Sequence, residues 1–252
     1  IEKCLIYVYL IQWEKMKMLK FKALMTSVAQ LMLVPAIIFL CVADLSILGI
    51  FMSIIFSYLF CGLGFVIISH RYFTHRAFTL SKWKERLFSI FAVLGTWVSP
   101  AEWVAIHKQH HLYSDTENDV HSSKWLGWKN AFFFFHKYEE IPLKNLTVAK
   151  ILTDPWQYFL YKWKYLIILF YAISIYAMLG TDYLFYLWII PTAYSFIGQI
   201  TIILNHRDGI PTDSVWQDII TFGDGYHSSH HKNPRDYSKG FLLKTVIDFI
   251  KD

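Results

Sequence analysis

The chain has 252 residues, enough for one domain or two small ones. Hydrophobic residues make up 55% and charged residues 17%, against roughly 25% charged in a soluble domain, so composition excludes an ordinary soluble fold and points to a membrane protein with a net charge of +5. Cys4, Cys41 and Cys61 lack CxxC spacing and two sit in apolar runs, which argues against a disulfide framework or zinc finger and leaves them as small apolar side chains.

The chain begins at Ile1, so it reads as a fragment or as a chain whose true start is Met16 or Met18; residues 1–13 show no signal-peptide cleavage pattern. A membrane helix needs about 20 apolar residues. Four segments are predicted spans: roughly 23–42, 45–69, 165–180 and 183–204. Pro35 and Pro191 fall inside them, where neighbouring helices can satisfy the freed backbone groups. Short turns, "VADLS" and "GTDY", join them into two hairpins. Neither turn carries Lys or Arg, and no Lys or Arg occurs in 23–69 or 165–206. The positive-inside rule then puts both termini and the middle region on the cytosolic side. The expected fold is an all-α, multi-pass integral membrane protein, one domain over 1–252. Its four spans carry a cytosolic helical cap made of 70–164 and 205–252. No internal repeat is visible beyond the hairpins.

The middle region is not a simple loop. "LFSIFAVLGTWVSPAEWVAIH", broken by Pro100 and Glu102, and "WLGWKNAFFFFHKY" both read as helices lying in the membrane surface, with Phe132–Phe135 as anchoring or core residues.

Of eleven histidines, nine cluster at the predicted cytosolic edge. They are His70 and His75 in "HRYFTH"; His107, His110 and His111 in "HKQHH"; His206 in "LNHRDG"; and His227, His230 and His231 in "HSSHH". Orientation rested on Lys and Arg alone, so this shared side is an independent check. Positions i, i+3 and i+4 share a helix face, so each HxxHH can present three imidazoles to one place. The pair in "HRYFTH" diverges by about 140° on a regular helix, so either the helix unwinds after His70 or the two rings serve different metals. A single HxxHH can be a plain polar face. Four clusters on one side point to metal, and a metal takes about four to six ligands, so nine histidines suit two ions. Imidazole suits several transition metals. The Glu-x-x-His motifs of soluble di-iron bundles are absent.

These boxes resemble the membrane fatty acid desaturase family, in its stearoyl-CoA desaturase-like branch. "HRYFTH", "HKQHH" and "HSSHH" match its three histidine boxes. "EWVAIHKQHHLYSDTENDVHS" is similar to its acidic-Trp box and Asp-Pro-His-Ser element, with Val120 for Pro. "GDGYHSSHH" is similar to its Gly-Glu-Gly-aromatic-His box, with Asp224 for Glu, and "YSKGF" to its closing segment. The likeness runs from about Leu45 to the carboxyl end. The family's Asn-x3-His-x2-Gly element is only partly matched: His206 and Gly209 fit, but Ile202 stands at the Asn position and Asn205 lies beside the histidine, about 100° round a continuing helix.

The resemblance implies a fatty acyl desaturase. Two irons held by the nine histidines would use O2 and two electrons to place a cis double bond in a long acyl chain, with carbon nine suggested by the branch. Acyl-CoA, acyl-carrier protein and membrane lipid stay open as substrate. Tyr58 and Gly62, on one side of the second span, would line the closed end of an acyl tunnel, although Gly62 also reads as a packing residue. Trp103 would line the tunnel near the metals, unless it is an interfacial anchor. Glu102, Asn205 and Asp224 are candidates for contacts behind the ligands. His121 reads as polar and structural and His136 as a surface residue. No attached cytochrome domain is visible, so the expected donor is an external ferredoxin or b-type cytochrome, drawn to the basic face. No nucleic-acid partner is expected. Gly223 and Gly225 would turn the chain so that "HSSHH" meets "HKQHH". Two rivals remain: a hydroxylase or ketolase with similar boxes, and a metal-binding membrane carrier. The carrier is disfavoured because its ligands would sit at mid-membrane, not at one edge.

Overall fold

A computed structural model describes residues 29–127, 146–206 and 209–252. The amino-terminal arm, the start of the first predicted span, Phe132–Phe135 and His136 lie outside the described residues. The described chain is helical, with a lone antiparallel bridge between Asp213 and Tyr226.

Helix α1 runs Leu33–Val42 and α2 runs Ile47–Thr74. Helices α3 (Lys82–Thr96) and α4 (Pro100–Tyr113) form a broken pair bent by 70°. The short α5 (Ser123–Leu126) and α6 (Leu146–Leu152) precede α7 (Pro155–Leu179) and α8 (Thr181–Asn205). The chain ends with α9 (Val215–Thr221), α10 (His227–Lys232) and α11 (Phe241–Ile250). Among the described residues, α2, α7 and α8 are each long and apolar enough to cross a membrane, and the bent α3–α4 pair passes the same test jointly.

Local chemistry sets the helix ends. Ser46 caps α2, accepting from the Gly49 N–H (3.2 Å). Asp154 caps α7, accepting from Trp156 and Gln157, with Pro155 at the first helical position. The helix therefore starts ten residues before the apolar run read from sequence and carries Lys162 and Lys164. At the α3–α4 break Trp97 takes a left-handed conformation (φ 60°), Pro100 opens α4, and Ser99 and Glu102 form a reciprocal capping box.

Helices α2, α3 and α8 pack through small residues, which let membrane helices approach closely. A Cβ on Gly49 would overlap the Tyr186 ring, and one on Gly64 would sit 2.5 Å from the Ala92 backbone nitrogen. Ser53 donates to the Tyr186 carbonyl (2.9 Å).

The expectation that the segment after Pro100 lies flat in the membrane surface is corrected for α4. Pro100 through Ala105, His107 and His110 are all buried, and its exposed apolar side chains, Leu112 and Tyr113, are confined to its last turn. Glu102 makes this burial tolerable: Lys164 of α7 donates to its two oxygens at 2.7 and 2.8 Å.

Candidate metal centre

The segment Tyr58–Thr74 of α2 is wound as a π-helix, closed by i→i+5 bonds. Hydroxyls reinforce that register. Ser69 Oγ donates to Gly64 O (3.1 Å) and Thr74 Oγ1 to Ser69 O (2.8 Å), each five residues back. The His75 N–H closes the series on His70 O (3.3 Å). The wide turn brings residue i+5 back over residue i, so the His70 and His75 rings lie 5.0 Å apart. Neither alternative read from "HRYFTH" holds: the helix does not unwind, and the two rings do not part.

All nine clustered histidines converge, in two groups. His70, His75, His107, His111 and His230 form one, and His110, His206, His227 and His231 the other, with the ligand atoms of each group within 4.8 Å of one another. Each HxxHH divides. On a regular helix i and i+4 are about 40° apart, while i+3 lies about 60° to the other side of i. His107 and His111 accordingly face the first group and His110 the second, whereas His227 and His231 face the second and His230 the first. The expectation that each triplet serves one place is corrected: α4 and α10 each contribute to both groups.

Carboxylates behind the rings select their tautomers. His110 Nδ1 donates to Asp119 Oδ1 (2.8 Å), and His206 Nδ1 donates to Asp115 Oδ1 (3.0 Å). His70 Nδ1 lies 3.1 Å from Asp224 Oδ1. With Nδ1–H held this way in His110 and His206, the Nε2 lone pair of each of these two rings faces the cluster. His206 Nε2 and His75 Nε2 are buried without a hydrogen-bond partner, while His111 Nε2 lies 3.0 Å from His107 Nε2 and His231 Nε2 lies 3.1 Å from His227 Nε2. Converging buried lone pairs are costly until a cation fills the space between them, so the donor set fits two transition-metal ions.

Burial keeps the three rings of α10 neutral, the form that ligates. It holds His227 and His230 well below the usual imidazole range, with neighbouring His231 and Arg71 respectively adding to it. Burial, then His111 and His206, lowers His231 to about 3. Burial raises the Asp224 carboxyl to about 6 against the pull of Arg71. His230 is the one strained fit. Arg71, which can only donate, places Nη1 2.7 Å from His230 Nδ1, so the His230 proton sits on Nε2, toward His70 Nε2 at 2.8 Å. Ligation through that nitrogen requires Arg71 to turn toward Asp224, 3.7 Å from Nη2.

The remaining predicted residues are placed as follows. Trp103 is buried and stacks on His107 (5.1 Å, 17°), so it is not an interfacial anchor. Tyr58 and Gly62 do share a side, but a Cβ on Gly62 would meet the Tyr58 ring at 2.8 Å and Phe222 Cβ at 3.0 Å, which is close packing. Asp224 lies behind His70. Asn205 turns to the Asp224 carbonyl (Nδ2 to O, 3.5 Å), and Glu102 bonds Ser99 and Lys164. His121 is buried beside His110 (5.1 Å between rings) and outside both groups. Gly223 takes φ 122°, and a Cβ on Gly225 would overlap the Asp218 backbone, so both glycines serve the turn into α10. Sequence reasoning missed Asp115, Asp119 and Lys164. The acidic run "SDTENDVH" straight after "HKQHH" was the available signal for the first two.

A family model described as fatty acid desaturase matches residues 45–237. The chain belongs to the fatty acid desaturase family. Among curated relatives, the sn-1 stearoyl-lipid 9-desaturase of Anabaena variabilis is 30% identical over 183 residues, covering 68% of this chain and 66% of that protein. The protein of the same name from Synechocystis sp. is 28% identical over 184 residues, covering 68% and 57%. The Arabidopsis thaliana chloroplastic palmitoyl-monogalactosyldiacylglycerol delta-7 desaturase is 27% identical over 183 residues, covering 67% and 49%. The chain thus spans about half to two thirds of the length of these desaturases. Both histidine groups fall within the matched family region.

Proposed function

We propose that the protein is a membrane-bound desaturase that introduces a cis double bond at carbon nine of a long-chain acyl group carried on a membrane lipid. The observation that carries this reading is the pair of buried histidine groups, backed by carboxylates, in a chain of the desaturase family. The names of the Anabaena and Synechocystis relatives favour carbon nine and a lipid carrier over coenzyme A.

Two irons, bound one to each group, would supply an oxidant strong enough to take hydrogen from an unactivated methylene pair, with O2 and two electrons as co-reactants. Overall, two chain hydrogens, two protons, two electrons and O2 yield two waters and the double bond. The chain's own residues orient and exclude. The nine histidines are the proposed ligands; Asp115 and Asp119 hold His206 and His110 by their Nδ1 atoms, and Asp224 lies behind His70. Trp103, flat on His107, is the proposed acyl contact nearest the metals, and its bulk keeps water from that side. Tyr58, Gly62 and Phe222 are proposed to close the far end. The proposed topology is one domain of four spans with the metal site on the cytosolic side, where Lys and Arg concentrate. A ferredoxin or b-type cytochrome docking on that basic face would deliver the electrons.

The test is expression in a host lacking unsaturated fatty acids, with fatty acid analysis by mass spectrometry. The expected product is two mass units lighter than its parent, unsaturated at carbon nine. A gain of oxygen would replace this reading with hydroxylation, and no product from iron-loaded protein would sink it.

A further inference from the structure

The return segment between α8 and α10 has a surface that the metal site does not use. Five large apolar side chains, Ile210, Val215, Trp216, Ile219 and Ile220, are exposed on it, Trp216 to 76%. Two of its carboxylates are tied back toward the start of α10. Asp218 accepts from the Gly225 N–H (3.4 Å), and Asp213 accepts from the Ser229 N–H and hydroxyl (3.0 and 2.6 Å). On α9 itself the exposed side chains are Val215, Trp216, Ile219 and Ile220, all apolar, a concentration that soluble surfaces rarely carry without a partner.

Its depth identifies the partner. Tyr194 Oη donates to the Ile220 carbonyl. Tyr194 lies about 17 Å along α8 from Asn205, at 1.5 Å rise per residue, and a helical side chain leans toward its helix's amino terminus, here away from the histidines. Phe222 stacks edge-on against Tyr58 (5.1 Å) and packs on Gly62, again well down α2 from His70. The segment therefore leaves the histidine level after His206, descends alongside α2 and α8, and climbs back to His227. Its apolar face is continuous with the exposed faces of the spans. A cleft of about 290 Å³ lined by Leu40, Ile54, Ile190, Tyr194 and Phe222 joins them, and Leu40, Ile50 and Ile54 are themselves exposed.

We propose that α9, residues 215–221, is a re-entrant element seated in the bilayer, with Trp216 and Ile219 in contact with lipid, and not part of an aqueous cap, while the exposed Thr212 and Asp213 before it stay at the polar boundary. An exposed Trp among aliphatic residues on a short helix suits the acyl–headgroup boundary. The element ends at Phe222, whose left-handed backbone (φ 59°) and the following Gly223 lead to Asp224 behind His70. Bilayer contact thus reaches to within three residues of a carboxylate that backs a metal-group histidine.

The test uses the full chain in phosphatidylcholine vesicles, with Cys4 and Cys41 replaced and buried Cys61 kept. Nitroxide labels are placed singly on Trp216→Cys and Ile219→Cys. Ile54→Cys on α2 serves as the lipid-facing control and Ser238→Cys in the cap as the aqueous control. Metal binding by each variant confirms the fold, and the second position reports the same face if the first fails that check. The expected result is oxygen accessibility matching Ile54→Cys and little collision with a water-soluble nickel chelate. Nickel accessibility equal to that of Ser238→Cys would overturn the proposal. So would shielding from both probes, which would mean that protein, such as a second copy of the chain, covers the face.

Discussion

Asp119→Asn is the sharpest probe of the carboxylate-backed site. Asp119 and His110 are both fully buried, with Nδ1 and Oδ1 2.8 Å apart. The carboxylate accepts three bonds: Oδ1 from His110 Nδ1 and the His121 N–H (2.8 Å each), and Oδ2 from the Asp115 N–H (2.9 Å). An amide of the same shape cannot satisfy all three. If its oxygen stays on His110, its NH2 confronts the Asp115 N–H, donor against donor, and Asp115 is the residue that orients His206. If the amide flips, its NH2 donates to His110 Nδ1, drives the ring proton to Nε2 and blocks the lone pair that would ligate. Either way the four-histidine group suffers and the five-histidine group does not. Outer carboxylates of this kind are worth about 10–100-fold in metal affinity, or about 1.4–2.8 kcal/mol. Competition with a graded chelator, reading metal per chain, should show one ion weakened by that factor and the other unchanged. Equal weakening of both ions, or affinity within about twofold of the parent for both, would refute the assignment.

Three further outcomes follow from the packing. His107→Ala and His227→Ala should each abolish turnover, but from different groups, so purified variants should each lose about one metal per chain; full activity in either would count heavily against the site. Lys164→Met leaves Glu102 buried without its cation and should cost about 3–5 kcal/mol. Adding Glu102→Gln should recover much of that in a thermal or denaturant melt, and no recovery would mean the pair does not carry the coupling. Gly62→Leu forces its side chain against Tyr58 and Phe222 and should shift the product profile toward shorter acyl chains, as read by chain-resolved lipid analysis; an unchanged profile would leave Gly62 as packing alone.

Much of this site was legible in the sequence, for a physical reason. Histidine is too costly to bury in quantity without a task, so nine at one edge of an apolar chain declare the site by position alone. The division of labour was hidden because "i, i+3, i+4 share a face" is a coarse rule. The 100° step of a helix separates i+3 from i+4, enough to aim His110 and His230 at a different ion once two groups lie side by side. The start of α7 was hidden because Lys162 and Lys164 interrupt the apolar run, and only the tertiary partner Glu102 makes Lys164 acceptable at that depth. The cap assignment after His206 rested on the positions of Lys and Arg, which say nothing of how deep an apolar helix such as α9 sits between them.

The π-helix is the feature that sequence rules are least equipped to see, and it organises the rest. Regular winding through Tyr58–Thr74 would send His75 to the far side of α2 and leave the first group with four rings. The wider turn has a cost, since π segments are rare beyond a single turn. Three things in the chain offset it. Ser69 and Thr74 supply hydroxyls at the five-residue spacing. Gly62 and Gly64 remove Cβ atoms where Tyr58 with Phe222, and α3, press in. The flanking helices bury Phe60 to Thr74 with the sole exception of Tyr72, so the register has no room to relax. The strain thus falls in the one helix that must carry two ligands five residues apart.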